Sequence, residues 1–161
     1  MTRAHHLPAI AWAVLAFAAW RSAELLEAWR HSPLDRFGWL AFLLWSTPAV
    51  VQLAQPDSGP PEPSAPWFLG ASLAACLFGI VADFNTANYL GLACAVAALG
   101  GWSWRHALWL AAAVTWMPAF SWAGQGLPRP MLVTTRILAT GIASAPLLAS
   151  LLPRKPAPSP T

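Results

Sequence analysis

Apolar runs, broken by short polar or proline-rich stretches, fill most of this 161-residue chain. The first covers 7–20, and as a helix its 14 residues reach about 21 Å, short of a bilayer core of about 30 Å. The helix is therefore predicted to continue to residue 29. Beyond Trp20, Arg21, Glu24, Glu27 and His31 recur at spacings of three and four, with Leu25, Leu26 and Trp29 on the opposite face. That is the pattern of a helix leaving a membrane and lying in its interface. Ser32-Pro33 ends it.

Five more runs follow. Residues 37–54 carry no charge, and Pro48 inside them predicts a kink. Pro56, Pro60, Pro61, Pro63, Pro66 and Gly59 make 55–66 a stiff, solvated loop. Residues 67–82 and 87–103 flank a tight turn at 83–86, so they are predicted to form an antiparallel hairpin. Cys76 and Cys94, each nine residues from Asn85, would then lie at one depth. The fifth run covers 105–122, with Pro118 near its far end, and the sixth covers 131–152, with Arg136 near its start and Pro146 past its middle. The proline-rich 153–161 reads as a disordered tail.

The fold class expected is all-α: a polytopic transmembrane helix bundle of about six spans in one membrane domain, 1–152. Composition agrees, with 57% hydrophobic residues and 9% charged ones where a soluble domain carries about 25%. The net charge of +3 comes from eight arginines and one lysine scattered at segment ends, which excludes a nucleic-acid partner. Arg, Ala, Pro and Trp usage suggests a GC-rich bacterial genome, and hence the bacterial inner membrane. An N-terminal signal peptide cleaved after Ala16-Phe-Ala18 is the alternative reading of the first run. An uncleaved span accounts better for Trp12 and Trp20 and for the amphipathic continuation.

An even span count puts both termini on one side. Basic-residue counts on the two faces are nearly equal, so the positive-inside rule leaves orientation open. The tail pair Arg154-Lys155 has no acidic neighbour, whereas Arg21, Arg30 and Arg36 have them, which favours cytoplasmic termini.

Of the 11 tryptophans, Trp20, Trp39, Trp67, Trp102, Trp104 and Trp122 sit near segment ends, as in an interfacial aromatic belt. Small residues recur every four positions at Gly91 and Ala95, at Ala93, Ala97 and Gly101, and at Gly141, Ala145 and Ala149. Such stripes let helix backbones approach closely, within the chain, in a homo-oligomer or against a membrane-protein partner.

Few groups could carry chemistry. Arg136 is a charge inside an apolar run; it either snorkels to the headgroups or binds an anion or a partner helix, with Asp83 and Asn88 as counterparts. Alternating spans would gather Arg30, Asp35, Arg36, Asp83, Asn85, Arg129 and Arg136 at one end of the bundle. Arg105-His106, at the mouth of the fifth run, is a second polar pair. Cys76 and Cys94 lie in apolar runs with no nearby cation to activate a thiolate. No serine elbow, phosphate loop, HExxH or CxxC occurs, and no histidines stand in paired helical spacing, so neither metal nor cofactor is predicted.

From Asp35 to Trp122 the chain resembles the N-terminal part of the exosortase/archaeosortase family, polytopic membrane proteins that process and sort proteins with a C-terminal anchor. The resembling residues are Phe37-Gly-Trp-Leu-Ala-Phe-Leu-Leu-Trp45, the proline-rich loop, a hairpin with Gly79, Leu90-Gly91, Gly100-Gly101-Trp102 before a basic pair, and Met117-Pro118. The family's nucleophilic Cys, which opens a later helix, has no counterpart. Thr134-Thr-Arg-Ile137 is faintly similar to the family's Arg-bearing helix. The resemblance implies a truncated, non-catalytic relative: a membrane accessory or scaffold protein in a protein-sorting or exopolysaccharide-linked system. A small transporter or lipid-handling protein is the second reading, and a thiol membrane peptidase the third.

Overall fold

The computed structural model describes residues 9–55, 65–102 and 106–151, and these are all-α. Helices α1 (Ala9–Arg21), α2 (Glu24–His31), α3 (Gly38–Ala54), α4 (Ala65–Val81) and α5 (Asn85–Leu99) are followed by α6 (Ala107–Ala111), which tightens into a 3-10 segment, Ala112–Trp116. Short α7 (Pro118–Ala123) and long α8 (Arg129–Leu151) complete the chain. Only Gln55, Ala65 and Pro66 of the proline-rich loop are described, and Arg105, Trp104 and the tail 153–161 lie outside the described residues.

By length and apolarity α8 is sufficient to cross a membrane, and the bent pair α1–α2 reaches the same measure only if counted as one span. Six spans are therefore not what the helix lengths give. Helices α3 and α4 are apolar but 17 residues long, about 25 Å. The first run breaks at Ser22–Ala23 with a 43° bend. There the Ser22 N–H is shared between the carbonyls of Ala18 and Ala19, and its hydroxyl donates to Asn88 O at 3.1 Å.

The 105–122 run shows the largest departure from the predicted continuous helix. After Ala111 the hydrogen bonds shorten to the 3-10 pattern, and Met117 N–H bonds Val114 O at 3.1 Å. Pro118 has no N–H to give the next turn, so the helix stops and α7 restarts with proline in its first turn. Pro48 and Pro146, by contrast, sit inside continuous helices α3 and α8.

Helices α4 and α5 form the predicted antiparallel hairpin: Gly79 lies against Asn88, and Gly91 against Ser72 and Cys76. Both helices end in the same motif. Phe84 N–H reaches back to Gly79 O, and Trp102 N–H to Ala97 O, around left-handed Asp83 (φ 49°) and Gly101 (φ 66°). The small residues explain how close the pair lies. A Cβ on Gly91 would come within 2.5 Å of Cys76 Sγ and 3.0 Å of Ser72 O. Gly91 and Ala95 are thus consumed inside the fold.

Helices α3 and α8 run parallel, tied at one end by Asp35 to Arg136 and at the other by Gln55 Nε2 donating to Leu151 O at 2.8 Å. Between α3 and the broken fifth segment lies an aromatic core. Trp45 and Trp109 stack with centroids 4.5 Å apart and planes at 6°. Each indole N–H donates to the other residue's backbone carbonyl, at 2.8 and 2.9 Å. Phe42 meets Trp116 edge-on at 5.3 Å, and Trp29 Nε1 donates to Trp116 O at 3.2 Å. Gly38 leaves room for that contact, since a Cβ there would collide with the Trp29 indole.

Candidate functional site

The most concentrated polar chemistry lies where the α2–α3 connection, α7 and α8 meet. Asp35 follows the helix stop at Ser32-Pro33, Ser121 sits on the one-and-a-half-turn α7, and Arg136 projects from the second turn of α8. Arg136 Nη2 lies 3.2 Å from Asp35 Oδ1 and donates to Ser121 Oγ at 2.6 Å. Nη1 reaches Asp35 O at 3.4 Å. The Ser121 hydroxyl is within hydrogen-bond reach of Asp35 Oδ1 and, at 3.1 Å, of Leu34 O. The guanidinium carbon stands 5.4 Å from the centre of the Phe120 ring.

Burial of this knot is nearly complete, with Arg136 1% exposed and Asp35 6%. Arg136 therefore does not snorkel. Its counterparts are Asp35 and Ser121, not Asp83 and Asn88. One turn further along α8, Thr140 donates to Arg136 O at 2.8 Å and contacts the Thr115 hydroxyl at 2.7 Å. That contact ties the 3-10 segment to the same helix.

The other predicted site residues are not gathered into this knot, and His106 lies past the far end of α5 from Asn85. Asn85 bonds the Glu24 carboxylate and accepts from Asn88 at 3.3 Å. Asn88 is fully buried beside Gly79, while Asp83 is an exposed turn residue. Arg30, Arg36 and Arg129 are exposed and take part in no ion pair among the described residues. His106 packs edge-on against Trp102, 4.8 Å between centroids, with Arg105 outside the described residues. Cys76 is fully buried and Cys94 partly so, both as free thiols. No group of three or more His, Cys, Asp or Glu side chains able to hold a metal occurs among the described residues.

Sequence reasoning missed Ser121, Thr115 and Thr140, and it missed the aromatic core. The available signals were positional. Trp45, Trp109 and Trp116 stand well inside their runs, where a belt residue does not belong, and all three are buried. Trp102 is buried too, whereas Trp20, Trp39, Trp67 and Trp122 are exposed. The third small stripe, Gly141, Ala145 and Ala149, differs from the first. It lies on the outer side of α8, and a Cβ on Gly141 would meet nothing within 4 Å.

The arrangement defines an all-α protein with a buried ion pair at one end of the bundle, closed by a serine hydroxyl. No family model, no curated protein and no solved structure matches the chain.

Proposed function

We propose that this chain is an integral membrane protein with no reaction centre of its own, acting as an accessory or scaffold subunit for a membrane partner. The observation that carries the reading is a broadly apolar surface around a core that encloses polar groups. Asp35, Ser72, Asn88, Ser121, Arg136, Thr140 and Ser144 are buried, whereas Leu43, Val50, Leu73, Leu77, Phe78, Ile80, Leu138 and Ile142 are exposed. Water disfavours such a surface, and a hydrocarbon solvent favours it.

The six-span topology belongs to this proposal. Its support is the alternation of chain direction: α4 against α5, and α3 against the broken fifth segment, run antiparallel, while α3 and α8 run parallel. Short helices would then need a locally thinned bilayer or flanking interfacial residues. The partner surface is assigned to the outer face of α8, where Gly141, Ala145 and Ala149 leave a backbone open to close approach. On the exosortase resemblance, the partner would belong to a protein-sorting or exopolysaccharide-linked system of the bacterial inner membrane.

The test is mild-detergent co-purification from native membranes, comparing Gly141→Leu with the parent chain. A stoichiometric membrane partner should be lost from Gly141→Leu while the melting temperature is unchanged. Co-purification that survives the substitution refutes the assigned surface. A chain extracted by alkaline carbonate refutes the membrane reading.

A further inference from the structure

The ion pair at the bundle end has an electrostatic consequence for the surface around it. In sequence, Asp35 stands beside Arg36, and Glu27 and Glu24 stand near Arg30 and Arg21. In the fold, Asp35 turns inward and its charge is matched by Arg136. Glu27 is held by His31 at 3.0 Å, and Glu24 accepts from Asn85. Arg30, Arg36 and Arg129 are left exposed, with no carboxylate bound to any of them among the described residues.

These three cations share one end of the molecule. Arg36 adjoins Asp35, and Arg129 lies two turns before Arg136 on the same face of α8, about 10 Å along the axis. Arg30 stands in the last turn of α2 next to Trp29, which is bonded to Trp116. Exposed aromatic residues lie close to this end along the chain: Phe37 and Trp39 within three residues of Arg36, and Trp122 next to Ser121, which bonds Arg136.

We propose that Arg30, Arg36 and Arg129, with Trp39 and Trp122, form a rim that binds the phosphate headgroups of anionic phospholipids. Guanidinium groups bind phosphate oxygens in a bidentate fork, and tryptophan settles at the depth where headgroups meet acyl chains. A soluble anion would meet the cations but gain nothing from the aromatic neighbours, so the lipid is the source the surface fits. The proposal rests on the membrane reading above.

The experiment uses the full chain in neutral detergent micelles doped with equal amounts of phosphatidylglycerol and phosphatidylcholine, with bound lipid counted by native mass spectrometry. Phosphatidylglycerol should be enriched on the parent chain, and Arg36→Gln and Arg129→Gln should each lower that preference roughly fivefold. Both side chains are exposed, so melting temperatures should not move. Equal binding of the two lipids, or a preference unchanged in the Arg36→Gln/Arg129→Gln double variant, overturns the proposal. Displacement of the lipid by inorganic phosphate as readily as by added phosphatidylglycerol overturns the lipid as source. Carbonate extraction of the parent chain is run in parallel. A chain that stays in the membrane but shows no lipid preference refutes this proposal alone, whereas a chain that is extracted refutes the membrane reading beneath it.

Discussion

Asp35→Ala isolates the largest single electrostatic commitment in the fold. The substitution removes the carboxylate 3.2 Å from Arg136 Nη2 and leaves a guanidinium that is 1% exposed. What remains around it is the Ser121 hydroxyl, the Asp35 carbonyl at 3.4 Å and the Phe120 ring, none of which carries a negative charge. Breaking one side of a buried pair costs about 3–5 kcal/mol, because the surviving charge stays desolvated. At 1.4 kcal/mol per factor of ten, the folded-to-unfolded ratio should fall by roughly two to three and a half orders of magnitude. Replacing both partners by apolar groups, as in Asp35→Leu/Arg136→Met, removes the uncompensated charge. It should recover most of that loss, although Ser121 then keeps only Leu34 O as a partner. The assay is reversible unfolding in mixed micelles, read by far-UV circular dichroism, for Asp35→Ala, for Asp35→Leu and Arg136→Met singly, and for the double that combines those last two. The reasoning is refuted if Asp35→Ala lies within about 0.5 kcal/mol of the parent, since that is the value of an exposed pair. It is refuted equally if the double variant loses the sum of the two singles, because a coupled pair must show an interaction energy.

Gly91→Leu should destabilise by about 1–3 kcal/mol or more in the same titration, since Cys76 Sγ and a Ser72 carbonyl already occupy its space. A change within experimental error would mean that α4 and α5 do not pack closely. Trp45→Phe keeps a ring in the stack but leaves Trp109 O without its donor, at a cost of about 1–3 kcal/mol. An unaltered near-UV spectrum together with unaltered stability would contradict the reciprocal clasp. Asp83→Gly should stabilise by about 1 kcal/mol, because the position is left-handed at φ 49° and glycine adopts it without a steric cost. A loss of stability would instead reveal a contact made by the Asp83 carboxylate. Maleimide in detergent should leave Cys76 unmodified until the bundle unfolds, as its side chain is fully buried; equal labelling of Cys76 and Cys94 in the native state would refute that placement.

The sequence by itself determined the local features. Periodicity and breaker residues marked α3, the α4–α5 pair with its intervening turn and the stop at Ser32-Pro33, because these depend on short-range sterics and missing N–H groups, whereas 7–29 and 105–122 proved to be broken helices. It also marked Arg136 as the charge that needed an explanation. What it could not give is which carboxylate answers that charge. Asp35 is 101 residues away, and only the packing of α3 along α8 brings the two together. Asp83 and Asn88, the counterparts expected from a shared face of the bundle, were instead claimed by a helix end and by the close α4–α5 contact.

The broken fifth segment was partly legible at Pro118, but the 3-10 tightening before it was not. There Thr115 bonds Ala112 O and Thr140, a choice made by a neighbour on α8. Likewise, three small-residue stripes read alike in sequence. Tertiary structure buried Gly91 and Ala95 against α4 and turned Gly141, Ala145 and Ala149 outward. A spacing of four fixes which residues share a helix face, by the geometry of the helix itself. What that face touches depends on non-local packing, and packing decided which stripe was spent on the fold and which was left exposed.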